Sequence, residues 1–208
     1  MERKDFEIMA PVGSRESLAA AFQAGADSVY FGIGALNMRS KSANEFTIND
    51  LKEIAELCKS HGVKSYLTVN TVIYDEDISL MREIIDAAAE SGISAVIASD
   101  AAVMMYCRER GMEVHLSTQL NISNKEALKF YAQFADVVVL ARELNLRQVK
   151  KIYEAIQSEQ IRGPNGDLVR IEMFCHGALC MAISGKCYLS LNTIGDNFVA
   201  ISGNLKEV

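Results

Sequence analysis

Five times along this 208-residue chain a helical stretch closes on a small residue, usually glycine, and a short β-rich run follows. The copies are Phe22-Gln23-Ala24-Gly25-Ala26-Asp27 before Ser28–Gly32, Cys58-Lys59-Ser60-His61-Gly62 before Val63–Val69, and Ala89-Glu90-Ser91-Gly92 before Ile93–Ala98. Arg108-Glu109-Arg110-Gly111 precedes Met112–Ser117, and Phe134-Ala135-Asp136 precedes Val137–Ala141. Glycine past a helix end can take the left-handed conformation that closes the last turn and lets the chain reverse into a strand. Between the strands the spacing is helical. Leu51, Ile54, Ala55, Leu57 and Cys58 share one face, as do Leu80, Met81, Ile84, Ile85 and Ala88. Val137–Ala141 is continuously apolar, as suits a strand buried on both faces of a parallel sheet.

With Phe6–Met9 early and Val169–Phe174 late, seven strands are expected, the first six each followed by a helix. Such alternation means a parallel α/β fold. Units of roughly 20–36 residues fit a TIM-like (β/α) barrel, incomplete at its C-terminal end. Ala10-Pro11-Val12-Gly13-Ser14, after the first strand, is too poor in glycine for a dinucleotide loop.

Composition narrows the function classes. Half the residues are apolar and 23% are charged, so the chain has the makings of a core. The longest apolar run, Ala101–Cys107, is far short of the roughly 20 residues of a membrane span. The opening Met1-Glu2-Arg3-Lys4-Asp5-Phe6 has no apolar region behind its charges, so no secretory signal is visible and a cytoplasmic location is expected. Five cysteines in a reducing compartment serve as ligands, nucleophiles or core residues rather than disulfides. A net charge of −6 argues against a strongly basic nucleic-acid-binding domain but leaves local patches open: Arg39 with Lys41, Arg147 with Lys150 and Lys151, and Arg162 with Arg170.

In such a barrel, function sits where strands end and loops begin. That rule selects Asn70, Ser99, Asp100, Ser117, Gln119, Asn121, Arg142, Glu143 and His176, with Arg39 in the long segment after the second strand. The competing reading is that Ser99, Asp100, Asn121 and Ser123 merely cap helices. Cys58 and Cys107, on helical faces, read as small buried hydrophobes. An adjacent Cys175–His176 pair on a strand would point to opposite faces, which is against a dyad.

The densest chemistry is Glu172–Ser190, where three cysteines and a histidine fall together. The stretch resembles the signature of peptidase family U-32, the collagenase-like peptidases. That pattern reads Glu-any-Phe, two residues, Gly, a small residue, an aliphatic, Cys, four residues, then Gly-any-Cys-any-aliphatic-Ser. Glu172, Phe174, Gly177, Cys180, Gly185, Cys187 and Ser190 occupy its fixed positions. Met9–Gly13, Gly25–Gly32, Thr68–Thr71, Leu116–Gln119 and Leu140–Leu144 look like the same family. The resemblance covers residues 5 to about 190, and residues 1–190 are expected to form the U-32-type barrel domain, with 191–208 a divergent tail.

The resemblance implies either collagenase-like peptidase activity or a role in oxygen-independent hydroxylation, of tRNA, of rRNA or of the ubiquinone ring. Members of the second kind hold a [4Fe-4S] cluster through four cysteines and draw on prephenate. Cys180 and Cys187 match the first two ligand positions, and the tail Leu191–Val208 contains no cysteine. Three readings follow: a chain truncated or frame-shifted after Ser190, a cluster completed by Cys175 and a second subunit of a homo-oligomer, or no cluster. Arg39 and Arg142 are candidates to hold a carboxylate-rich donor, because guanidinium binds carboxylates bidentately. His176, Glu172, Arg142, Glu143, Gln119 and Asn70 form the candidate catalytic set, and Cys180, Cys187 and Arg39 the cofactor set. No His-Glu-any-any-His helix or Gly-any-Ser-any-Gly elbow supports proteolysis, so hydroxylation is favoured over peptidase activity, with a truncated inactive binding barrel as a third reading. The partner is then RNA or a peptide, and no membrane.

Overall fold

A computed structural model describes residues 3–37 and 46–176, in two compact units, Met1–Met112 and Glu113–Val208. The first unit holds four parallel strands in sequence order: β1 (Met9–Pro11), β2 (Ser28–Gly32), β3 (Lys64–Val69) and β4 (Ala95–Ala98). Helices α1 (Arg15–Gln23), α2 (Leu51–Ser60), α3 (Ile78–Ser91) and α4 (Ala101–Glu109) follow them in turn. The second unit repeats the rhythm with β5 (Glu113–Leu116), α5 (Lys125–Ala132), β6 (Val137–Val139), α6 (Leu146–Glu159) and β7 (Arg170–Glu172), again with parallel neighbours. This is the expected βα succession. β1 begins at Met9 rather than Phe6, because Phe6 and Ile8 are about half exposed and Ile8 N donates to the Asp27 carboxylate instead.

The helix-to-strand turns share one device. Gly25, Gly62, Gly92 and Gly111 all have positive φ, between 67° and 79°, and the next residue donates its N–H to the carbonyl five residues back. These bonds are Ala26 to Ala21, Val63 to Cys58, Ile93 to Ala88 and Met112 to Cys107, at 2.9–3.1 Å. Each closes the preceding helix and points the chain into its strand. α6 ends the same way without glycine: Gln160 takes φ 53° and Ile161 N donates to Ile156 O at 3.1 Å. The fifth copy read from sequence, Phe134-Ala135-Asp136, lacks a left-handed residue; Phe134 N donates back to Tyr131 O instead.

The helix faces bury the residues the spacing selects, with two exceptions. Leu51, Ile54, Ala55 and Cys58 of α2, and Met81, Ile84, Ile85 and Ala88 of α3, are buried, whereas Leu57 and Leu80 lie at the edges of those stripes and are exposed. In the first unit one sheet face carries Tyr66, Ala95 and Ile97 with Met9 and Tyr30 packed on them. Register puts Val29, Phe31, Leu67 and Val96 on the other face, all fully buried.

Candidate functional site

The strand ends of the first unit are tied to one another. Ser99 Oγ donates to Asn70 O at 2.9 Å, and Asp100 accepts from Ile73 N at 3.2 Å with one oxygen and from Ala102 N at 2.9 Å with the other. Asp100 is thus the N-cap of α4 and a clamp on the β3–α3 loop, whereas Ser99 is no cap. Ser117 caps a short turn at Thr118–Leu120, and Asn121 ends that turn at φ 50°. Asn124, rather than Ser123, caps α5, its Oδ1 accepting from Ala127 N. Asn70, Gln119 and Arg142 are half-buried in these loops, and Glu143 is exposed.

The second unit gathers four ionisable side chains on one face of its sheet. His115 pairs in register with Val137 and Val137 with Arg170, while Val139 pairs with Glu172. Alternation along the strands puts Glu113 and His115 of β5, Val137 and Val139 of β6, and Arg170 and Glu172 of β7 on the same side. The valines are short, so side chains from β5 and β7 meet over them. The Arg170 guanidinium donates to Glu113 Oε1, and the same oxygen lies 3.2 Å from His115 Nε2. His115 Nδ1 is 3.9 Å from Glu172 Oε2. The His115 side chain is 3% exposed, against 21% for Glu172 and 29% for Glu113. Glu172, picked out by the signature, is therefore the member of this polar row at the carboxyl end of β7, with His115 its buried centre. His115 lies within the expected strand Met112–Ser117 and belongs to no motif. The signal for it lay in the period-two placement of Glu113 and His115, and of Arg170 and Glu172, within otherwise apolar strands.

A comparable row crosses the first unit. Lys64 Nζ donates to Glu7 Oε2 at 2.6 Å and Tyr66 Oη to Glu7 Oε1 at 2.5 Å. Burial alone would raise the Glu7 carboxyl, but hydrogen bonds from Lys64, Tyr66 and Ser28 and the charge of Lys64 together hold it below its ordinary value.

Other expectations resolve as follows. β7 stops at Glu172, so Cys175 and His176 lie in the loop beyond it, both exposed, and strand alternation does not govern that pair. Arg170 is committed to Glu113, which removes it from a basic patch with Arg162; Arg162 itself donates to Gly166 O and Gln160 Oε1. Arg147, Lys150 and Lys151 form a solvated face of α6. Cys58 and Cys107 are buried, and desolvation pushes their thiols up to about 11 and about 12, as core cysteines behave. Arg39, Lys41, Cys180 and Cys187 lie outside the described residues. Among the described residues no group of three or more His, Cys, Asp or Glu side chains could hold a metal, and no helix is long and apolar enough to cross a membrane.

The profile described as Peptidase family U32 matches residues 13–197. The chain belongs to peptidase family U32. A relative from Porphyromonas gingivalis (strain ATCC BAA-308 / W83), named collagenase, is 71% identical over 192 residues, which is 92% of this chain and 46% of that protein. The tRNA hydroxylation protein P1 of Bacillus subtilis (strain 168) is 35% identical over 187 residues, 88% of this chain and 42% of that one. The chain thus spans a little under half the length of these curated relatives. The solved structure of the U32 peptidase Mk0906 superposes with a TM-score of 0.64 at 15% identity, over 84% of this chain and 70% of that one. At that identity the likeness speaks for fold only, and the fold class is α/β of the TIM-like barrel type.

Proposed function

We propose that this U32 chain serves oxygen-independent hydroxylation of RNA, taking a carboxylate-rich, prephenate-like molecule as donor. The observation that carries the reading is the second unit's polar row. It presents a carboxylate, Glu172, beside a buried imidazole, which is equipment for moving protons, whereas Cys175 and His176 are both exposed in the loop past β7. Ser60 Oγ does approach His61 Nδ1 at 3.1 Å, but both sit at the C-terminal end of α2, where His61 is also held by Leu57 O and stacked on Phe22. That is the strand-entering side of β3, away from the carboxyl ends where a barrel places its chemistry.

Relatives named as tRNA hydroxylation proteins, 32–35% identical over 88% of this chain, and one named 23S rRNA 5-hydroxycytidine C2501 synthase, at 31%, support RNA as the substrate class. Arg142, half-buried just past β6, offers a guanidinium for a donor carboxylate, and Arg39 is the second candidate. With a net charge of −6, the barrel supplies little non-specific attraction for a phosphate backbone.

An iron–sulfur cluster does not fit the described thiols. Cys58 and Cys107 are buried with their protons held on, and Cys175 is exposed. A cluster on this chain therefore depends on Cys180 and Cys187 together with ligands supplied from elsewhere, and the proton chemistry of Glu172 stands without it.

The name of the 71%-identical relative favours a second reading, a collagenase-like peptidase. One experiment separates the two. The chain is purified anaerobically and assayed for iron and sulfide, beside Cys180→Ala and Cys187→Ala. The same preparations are then given undermodified tRNA with prephenate, or gelatin. Hydroxylated nucleoside detected by mass spectrometry, with iron lost in the cysteine variants, is the expected result. Iron-free protein that cuts gelatin and leaves RNA unmodified would reverse the assignment.

A further inference from the structure

We infer that His115 is a positioning residue that relays a proton to and from Glu172, with Glu113 and Arg170 fixing the orientation of its ring. The inference rests on the reading above in one respect, that Glu172 is the carboxylate facing the substrate.

The argument begins with the Glu113 end. An ionised carboxylate only accepts hydrogen bonds, so the proton between Glu113 Oε1 and His115 Nε2, 3.2 Å apart, belongs to Nε2. Arg170 donates to the same oxygen, which keeps Glu113 ionised and turned toward the ring. With Nε2 turned toward Glu113, the ring's other nitrogen, Nδ1, is the one turned toward β7. Nδ1 faces Glu172 Oε2 at 3.9 Å, and the relay requires the two to close to hydrogen-bonding distance. At 3% exposure the imidazole is shielded from bulk water, so a proton given up by Glu172 has a protein acceptor at hand.

The step balances. Glu172, having taken a proton from substrate, breaks its O–H bond as Nδ1 gains an N–H bond. Neutral acid and neutral imidazole become carboxylate and imidazolium, and the new positive charge lies between Glu172 and Glu113. Among the described residues, Glu113 on β5 and Arg170 and Glu172 on β7 face the ring across Val137 and Val139 of β6. One carboxylate orienting a histidine that serves a second reactive group is an arrangement that recurs in acid–base catalysis.

The test uses the whole chain, labelled with ¹⁵N. Long-range ¹H–¹⁵N spectra report which ring nitrogen carries the proton, and His115→Gln assigns the signal among the three histidines. The expected spectrum of neutral His115 has a protonated Nε2 and a bare Nδ1. Glu113→Ala should scramble that preference, and Glu172→Gln should shift the Nδ1 resonance alone. A bare Nε2 in the unaltered chain, or an Nδ1 signal indifferent to Glu172→Gln, overturns the relay whatever the chain's reaction proves to be. Where turnover is measurable, His115→Gln should lower kcat by about a hundredfold or more at unchanged KM, and unchanged kcat in folded variant overturns the inference. A chain inactive on both RNA and gelatin refutes the proposed function, while the spectra still decide the relay.

Discussion

Gly163 lies so close to Asp136 that a methyl group on it would stand 2.4 Å from the Asp136 Oδ1 atom and 2.8 Å from its Cα. Asp136 N–H donates to Val114 O, its carbonyl accepts from Arg170 N, and its carboxylate accepts from Asn165 N at 3.0 Å. The contact therefore seats the turn that delivers β7, and with it Glu172, beside β6.

Gly163→Ala should destabilise the chain by about 1–3 kcal/mol, because backbone atoms cannot move aside as a flexible side chain would. Thermal unfolding followed by circular dichroism measures this. A melting point equal to that of the parent would show that the turn yields freely.

Gln160 offers the opposite sign. It holds a left-handed conformation that costs a non-glycine residue about 1 kcal/mol, so Gln160→Gly should stabilise by up to that amount. The exposed bonds its side chain makes to Gln157 O and Arg162 offset part of the gain. Gly92→Ala, where nothing lies within 4 Å of the added carbon, should lose a comparable amount through backbone strain alone. Paired melts of the two variants check both signs.

Thiol chemistry should separate the described cysteines. Cys175 is exposed, while Cys58 and Cys107 are buried with thiols near 11 and 12. At pH 8 iodoacetamide should label Cys175 in the native chain and reach Cys58 and Cys107 only after denaturation. Peptide mass spectrometry reads the order directly.

Glu7 gives the chain an acid-sensitive element. Its folded carboxyl is held below the ordinary 4.5, so the stability it contributes is present above that value and is lost as pH falls through the folded value. Glu7→Gln should cost about 0.5–1 kcal/mol at neutral pH and flatten the fall in stability below about pH 4.5. Denaturant titrations across pH 3 to 7 test the slope.

Arg142→Ala should weaken donor use in the RNA assay by raising the donor's KM at least tenfold, about 1.4 kcal/mol of binding, while leaving the fold intact. Unchanged donor use would remove Arg142 from the site.

The alternation of strands and helices was legible because its signals are local: glycine after a helix, apolar spacing within it, branched apolar runs after the turn. Strand-end residues such as Asn70 and Asp100 could be named for the same reason. The polar row could not. Glu113 and Glu172 are far apart along the chain, and they meet at His115 only because short valines on β6 let side chains from β5 and β7 reach over them. Arg170 shows the same limit. Its charge looked available for phosphate, and only the strand register reveals that Glu113 already holds it.

The glycine joints lie where strands begin, whereas Asn70, Asp100, Arg142 and Glu172 lie where strands end, and a mutational survey should divide along that line. Changes at the turns entering the strands would register as lost yield or a lower melting point, and changes in the loops leaving them as altered turnover. A chain built this way can exchange one reactant for another by rewriting its exits alone.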